Sequence, residues 1–398
     1  MPMYDIAISG AGPVGSALAL LLASRAPQPE RIILLGKVAS DDTAASSPHE
    51  AEPVADPRTL ALNHGSRTLL EQLQAWPRHS ADITNVHVSQ RGRLGRTLIR
   101  HDELGVPRLG SVAGYDAVLA SLHAALRRSG VTLAEAAQTS AGQQHQAAGA
   151  GTSPEPIDIV LNGEALKSTL LVRSDGVRPK GIERHYGQHA LLVTVRVSRP
   201  RSGWAYERFT RSGPLAFLPH PAGPDIYGVV WCNPPHETQQ LQSLPAEQFE
   251  QQLHEAFGDR LGTMSCQGER HVFPLSLHAG PSLLGPRSIA IGNAAQTLHP
   301  VAGQGLNLGL RDAAQLALAL TPWLAQPSTD PTDLLADFAR RRRPDRWLTA
   351  GVTDFLPRVF ATGNPLVEHA GGLALLGLDL LPVLRLPLAR HLLQGLRS

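Results

Sequence analysis

Two stretches of this sequence combine residue types and spacing that suit ligand chemistry. The first is Gly10-x-Gly12-x-x-Gly15, which follows the apolar run Tyr4–Ser9 and opens the Ala- and Leu-rich run Ser16–Ala26. In that context Gly10 permits a tight turn, Gly12 lets the backbone approach a pyrophosphate, and Gly15 lets helix and strand pack closely. The free N–H groups and partial positive charge of the helix start then face the phosphates. The second is Ile291 to Asp312, which reads as a strand, a glycine-rich loop and a helix. Its loop, Pro300 to Asn307, brings backbone close to a flat ligand, and the helix beginning near Gly305 aims its positive end at negative charge developing there. No Ser-His-Asp set, paired carboxylates or metal-ligand spacing is legible, so no metal site is expected.

The elements around these stretches fit the same purpose. Tyr4–Ser9, Ser16–Ala26 and Arg31–Leu35 form one βαβ unit, its helix ended by Pro27 and Pro29. A dinucleotide fold places an acidic residue roughly 20 positions beyond the glycines to hold ribose hydroxyls. Here that position is Gly36, followed by Lys37, with Asp41 and Asp42 as substitutes in the loop. Tyr115–Arg128 has apolar residues at helical spacing, and Ile157–Leu161 with Ser168–Arg173 reads as a hairpin. Val38–Ala55 and the low-complexity Ala136–Pro156 read as loops. Leu191–Val197, Trp204–Thr210, Leu215–Leu218 and Ile226–Trp231 are short strands between Pro/Gly turns, an antiparallel sheet inserted into an α/β domain. Ser288–Gly292 returns as a strand, Leu306–Leu324 as a helix, and the chain from Asp333 onward is mostly helical.

Composition narrows the class. Of 398 residues, 42% are hydrophobic and 18% charged, which supports a large core and excludes disorder. The net charge of +2, from 36 basic and 34 acidic side chains, excludes a dedicated nucleic-acid binder. Two cysteines, Cys232 and Cys266, exclude a disulfide scaffold and a cysteine-rich metal site, and fit a reducing compartment. Met1–Gly10 lacks the basic start of a signal peptide, and no apolar run reaches about 18 residues. The expectation is a cytoplasmic protein, with peripheral contact at the inner membrane left open.

Further residues extend the pattern: Asp56-Pro-Arg-Thr-Leu-Ala-Leu62, Ser174-Asp-Gly176, Ala205-Tyr-Glu-Arg-Phe209 with Gly213-Pro214 and Leu218-Pro219, the Arg340–Arg343 helix, and Gly372-Leu-Ala-Leu375 with Leu380-Leu-Pro382. Taken with the two glycine-rich stretches, the chain resembles the class A flavoprotein monooxygenases, and most closely the ubiquinone-biosynthesis hydroxylases, over nearly its whole length. The resemblance implies an α/β fold: a Rossmann-like FAD-binding domain of the para-hydroxybenzoate hydroxylase type (1–180 and 286–330), an inserted antiparallel β-sheet substrate domain (181–285) and a helical C-terminus (331–398). It implies FAD as cofactor, NAD(P)H as co-substrate, and O2 and a polyprenylated phenol as substrates. In that family a flavin hydroperoxide formed after reduction by NAD(P)H delivers one oxygen atom to the ring.

By the same resemblance, Gly10, Gly12 and Gly15 cradle the FAD pyrophosphate, and Arg58 is the basic residue near the flavin. Asp175 supports FAD and the nicotinamide, Gly292 and Asn293 meet the ribityl or ribose region, and Pro300, Gly303, Gly305, Leu306 and Asn307 line the isoalloxazine. The chain departs from the pattern at Gly36, at Asn293 in place of aspartate, and at Gln296 where histidine is frequent. Pro179 and the arginine-free start of the helix at Ala113–Val118 depart from it too. Gly36 and Asn293 motivate an alternative, a non-catalytic accessory subunit of a ubiquinone-biosynthesis assembly with weak or lost FAD binding. Restoring Gly36→Glu and Asn293→Asp is the discriminating test. A halogenase is disfavoured because no Trp context carries its signature.

Four histidines, His220, His271, His278 and His299, are candidates for proton transfer, with His299 beside the loop foremost; ordinary polar contacts are the competing explanation. Tyr206, Phe209, Phe217 and Trp231 sit on strands of the inserted sheet, where a flat apolar substrate would stack, and core packing explains them equally well. Arg340–Arg343 with Arg346 reads as a solvated helix face or a lipid-facing cluster. Leu373–Leu396 reads as a bilayer-surface segment, a helical cap or an oligomer contact.

Overall fold

The computed structural model describes residues 2–38, 56–93, 95–135, 139–141, 156–176, 182–279, 284–285, 287–297, 303–360 and 365–394. Asp41, Asp42, Pro179, His299 and Pro300 lie outside them. The N-terminal sheet has a parallel centre, in the order Ser288–Ala290, Glu164–Arg173, Met3–Ser9, Ile32–Leu35 and Thr132–Ala134. Ile6, Ile8, Leu34, Leu170 and Val172 are fully buried in it, as continuous apolar runs require when helices and loops cover both faces. The helix Pro13–Ala23 is buried from Val14 to Ala23, which is why its sequence is apolar all round. Each enclosed leucine there, Leu18 and Leu22 among them, contributes about 1.5–3 kcal/mol. Within Ala136–Pro156, Thr139–Ala141 is a strand paired with Ile157–Leu161, so this part of the expected loop belongs to the sheet.

The second sheet runs in the order Gln296–Thr297, His271–Ala279, Ile182–Val197, Gly223–Asn233, Pro214–His220, Trp204–Phe209, Asn85–Gln90 and Arg96–Arg100. The expected antiparallel pattern holds over most of it, but Trp204–Phe209 pairs in parallel with Asn85–Gln90. The sheet therefore draws two strands from before residue 181. A three-stranded sheet of Thr59–Asn63, Gly110–Gly114 and Ala81–Ile83, not anticipated from the sequence, packs on the second sheet, where Ile83 and Val112 share a core cluster with Ala205. The helices Pro235–Ser243 and Ala246–Phe257 cover one face of the second sheet, placing Phe249, Leu253 and Phe257 in its core.

The C-terminal helices Thr332–Phe360, Pro365–Leu380 and Pro382–Gln394 close the molecule. The arginine cluster is not one solvated face. Arg340 and Arg341 are exposed beside Asp337, whereas Arg342 is 5% exposed and bonds Asp312 at 2.7 Å and Asp345 at 2.6 Å. Arg311 meets Asp345 at 2.9 Å, and Arg346 donates to Gln296 at 2.8 Å. These pairs lock the helix Gln304–Leu320 to the C-terminal helices, because a charge buried without a partner costs several kcal/mol. The tail also caps the second sheet. Thr97 donates to the Leu375 carbonyl at 2.6 Å, and Arg385 meets Glu103 at 2.9 Å. Leu373, Leu380, Leu381 and Val383 remain exposed. Among the described residues, no helix is long and apolar enough to cross a membrane.

Candidate active site

The fingerprint turn is built as its spacing requires. Gly10 has φ +106°, and a Cβ there would stand 2.7 Å from the Asp175 nitrogen. A Cβ at Gly15 would stand 2.0 Å from the Gly10 carbonyl oxygen, so only glycine lets the helix seat on the strand. Gly12 has open space where its side chain would project, directly before the helix start. The Ser9 hydroxyl donates to Asp175 Oδ2 at 2.6 Å, and Ser174 Oγ donates to the carbonyls of Ser9 and Gly10. This pins Asp175 beside the turn with its buried Oδ1 accepting no hydrogen bond, 4.0 Å from Arg173. His123, buried in the helix Tyr115–Leu126, donates from Nε2 to the Ala11 carbonyl at 2.9 Å. That bond fixes its tautomer, and burial lowers its pKa, so it braces the turn as a neutral ring.

Gly36 has φ +149°, and a Cβ there would meet the Ala11 nitrogen at 2.8 Å. The residue standing where an acid was expected is thus one that the packing requires. Asn293 is exposed on a short helical turn, and Gly292 packs against Val14 with φ +58°.

On the other side of the flavin-loop helix lies an apolar cavity of about 550 Å3. Its floor is the start of the helix Gln304–Leu320, with Gly303, Gly305, Leu306 and Asn307 on its wall. The N–H groups of this first turn have no partners within the helix, so their positive end faces the cavity. Gly303 adopts φ +59° against Ala61, and a Cβ at Gly305 would meet open space. Asn307 is expected as a ligand contact, yet its side chain is occupied: Nδ2 donates to the carbonyls of Ala61 and Gly303, and Oδ1 accepts from the Asn63 nitrogen. It positions the loop. Arg58, at the cavity wall, pairs with Asp56 and lies 4.4 Å from the centre of the Tyr115 ring.

Strand alternation decides what the cavity meets. Ala205, Glu207, Phe209, Ala216, Leu218, Val230 and Cys232 face it. Phe217 and Trp231, expected to stack on substrate, project from the opposite face into the core: Phe217 lies 4.1 Å from the Phe257 ring and Trp231 6.2 Å from Phe249. Tyr206 touches the cavity wall, but its ring packs edge-on against Phe257 at 5.3 Å. Of the histidines, His220 is half-buried with a lowered pKa, and neither it nor His271 lines the cavity. The side chain of His278 lies outside the described residues, as does His299.

Glu207 belongs to the Ala205–Phe209 motif, and the sequence alone assigns it no role. Its side chain opens onto the cavity, and burial pushes its carboxyl up to about 7. No described opposite charge or hydrogen bond offsets that burial. The signal in the sequence was an acid in phase with Ala205 and Phe209.

The arrangement suits FAD. The open face of Gly12 at a helix start, the free oxygen of Asp175 and the bare backbone at Gly305 form a cradle that side chains do not obstruct. Among the described residues, no group of His, Cys, Asp and Glu has metal-site geometry.

The sequence matches the FAD binding domain family over residues 3–350. It is 26% identical over 402 residues to the 3-demethoxyubiquinol 3-hydroxylase of Escherichia coli, covering 96% of both chains. It is 35% identical over 246 residues to the ubiquinone hydroxylase UbiL of Rhodospirillum rubrum, covering 59% of this chain and 57% of that one. Among solved structures, PqsL of Pseudomonas aeruginosa, described as a probable FAD-dependent monooxygenase, superposes with a TM-score of 0.72 at 18% identity, over 94% of this chain and all of that one. The p-nitrophenol 4-monooxygenase PnpA of Pseudomonas putida gives 0.72 at 16% over both full chains. These structures share the fold.

Proposed function

The chain belongs to the FAD binding domain family and is an FAD-dependent monooxygenase, and from that premise we propose that it hydroxylates a polyprenylated phenol in ubiquinone biosynthesis. The observation that carries this reading is the apolar cavity between the second sheet and the Gly303–Asn307 turn. Its volume lies within the range of small-molecule sites. Its aliphatic walls suit an aromatic ring with an isoprenoid substituent.

FAD, when bound, supplies the two-electron transfer from NAD(P)H to O2 that places one oxygen atom on the ring. Gly10, Gly12 and Gly15 would hold the pyrophosphate, with Asp175 beside it, while Gly303, Gly305 and Leu306 would approach the flavin ring. Asn307 fixes that turn through three hydrogen bonds. Leu62, Ile83, Leu109 and Leu218 give the cavity apolar walls that disfavour water around the reacting ring. The helix Pro382–Gln394 contributes Ala389 to the wall, and exposed Leu380, Leu381 and Val383 lie nearby in sequence. This supports a path for the isoprenoid tail toward a membrane surface and peripheral contact there. The accessory-subunit alternative rests on Gly36 and Asn293, and the packing of Gly36 on Ala11 gives that glycine a structural reason instead.

The test is the visible absorption spectrum of the purified protein before and after FAD addition, followed by NAD(P)H oxidation with prenylated phenols. A retained flavin spectrum and phenol-dependent oxidation with a hydroxylated product are expected. A protein that stays colourless after reconstitution would overturn the reading and favour the accessory subunit.

A further inference from the structure

Among the described residues, four titratable side chains line the cavity: Arg58, Tyr206, Glu207 and Cys232. Arg58 is a permanent cation, engaged by Asp56 and the Tyr115 ring, and has no proton-accepting form at working pH. The Tyr206 phenol is pushed up to about 12 by burial and packs toward Phe257. The Cys232 thiol is fully buried and raised well above its ordinary value, first by burial and then by the adjacent Glu207. Both stay protonated near neutral pH. On the strands of the second sheet the rest of the described wall is apolar, with Ala216 and Leu218, Val230, Val86 and Val88, Phe273 and Leu275, and Ala190 and Leu192, while Thr59, Asn63, Gln304 and Asn307 on the side of the loop are uncharged.

An acid in such surroundings is costly unless it has a use, since burial without a partner disfavours its charged form. Among the described residues no hydrogen bond or ion pair to the Glu207 carboxyl offsets that cost, and desolvation alone sets its shift. The alternation that turns Glu207 inward also turns its neighbour Arg208 outward, where Arg208 donates to the Ala256 carbonyl. The two charges are therefore kept on opposite faces of one strand.

We propose that Glu207 is the catalytic proton acceptor for the substrate's ring hydroxyl in this cavity. The inference rests on the phenol hydroxylase reading and deepens it. In the step, the phenolic O–H bond breaks and its electron pair stays on the ring oxygen. The proton joins a Glu207 carboxylate oxygen to give the carboxylic acid, with no change of oxidation state. The ring becomes more electron-rich at the carbon that receives oxygen, and the apolar walls keep water from supplying the base.

The test uses the FAD-loaded full chain and its Glu207→Gln and Glu207→Asp variants, with 4-nitrophenol as a probe whose ionisation is visible by absorbance. Bound to the wild type near pH 7, the probe is expected to show phenolate absorbance that is absent in E207Q. With a prenylated phenol, kcat in E207Q is expected to fall roughly a hundredfold or more, with KM within a few-fold. The acid limb of the pH profile near 7 should disappear, and E207D should recover part of the rate. FAD content and melting temperature identify any variant that fails to fold. Identical probe spectra in wild type and E207Q, or an E207Q rate within about threefold of wild type, would overturn the proposal. A wild type that hydroxylates no prenylated phenol sinks the hydroxylase reading instead, and the probe spectra still decide whether Glu207 takes a phenolic proton.

Discussion

Gly36 and Ala11 face each other across the fingerprint turn with no room for a side chain, a Cβ on Gly36 lying 2.8 Å from the Ala11 nitrogen and 2.9 Å from its Cβ. The position where a ribose-binding acid is expected is thereby closed to one. Gly36→Glu is expected to destabilise the protein by about 1–3 kcal/mol through its positive φ and this clash, and to weaken FAD retention. Asn293→Asp, on an exposed turn, should change stability by less than about 0.5 kcal/mol. Thermal melts and flavin content after gel filtration check both, and a Gly36→Glu protein that gains FAD would contradict the packing argument.

Asn307 carries the loop. Asn307→Ala removes the three side-chain hydrogen bonds to the Asn63 nitrogen and to the carbonyls of Ala61 and Gly303. Each abandoned group costs about 1–3 kcal/mol if it stays dry. A lower melting temperature and faster flavin release are expected, both measurable on one sample by flavin fluorescence during heating.

The buried pair Asp312–Arg342 should show strong coupling. Removing one partner, as in Arg342→Met, is expected to cost about 3–5 kcal/mol, because Asp312 is then left charged or forced to bind a proton. Asp312→Leu combined with Arg342→Met should cost less than either single change. A double-mutant cycle by denaturant unfolding measures this, and additive costs would argue against a dry pair.

Neighbours on the strand Pro214–His220 should behave oppositely. Phe217→Ala, in the core against Phe257, is expected to cost about 3–5 kcal/mol with little effect on KM once folded. Ala216→Phe, projecting into the cavity, should leave flavin binding intact and raise KM for a prenylated phenol. Unfolding curves and steady-state kinetics on the two variants would reveal any inversion of faces.

Glu207 links stability to pH. Its folded pKa of about 7 lies above the ordinary 4.5, so the folded state favours the protonated form. Stability from this group is fully present below about 4.5 and lost as pH rises through about 7. E207Q, always neutral, should therefore gain on wild type across that window by on the order of 1–3 kcal/mol and hold the difference above it. Melting temperatures of both proteins from pH 4 to 9 test this, and parallel curves would place the carboxyl in a wetter site.

Much of the nucleotide-facing half was legible because its rules are local. Gly10, Gly12 and Gly15 follow one strand and open one helix, and their roles depend on contacts within a few residues of a βαβ unit. Gly303 at the start of the helix Gln304–Leu320 is legible as a turn glycine in the same way, but its packing on Ala61 is not. The substrate side was legible only as strands. Period-two alternation says that Tyr206 and Glu207 point to opposite faces, but not which face meets the helix Ala246–Phe257 and which meets the flavin loop.

By itself the sequence determined the fold class, the glycine-rich turns and the presence of an inserted sheet, since these follow from backbone conformations that glycine spacing and apolar periodicity impose locally. Only the tertiary structure decided that the aromatic rings are core and the carboxylate is cavity wall, that Gly36 is a packing glycine, and that Arg342 is a buried tie and Arg346 a half-buried one. Those outcomes depend on which distant surface each side chain meets, and desolvation and close contact are properties of the assembled layers.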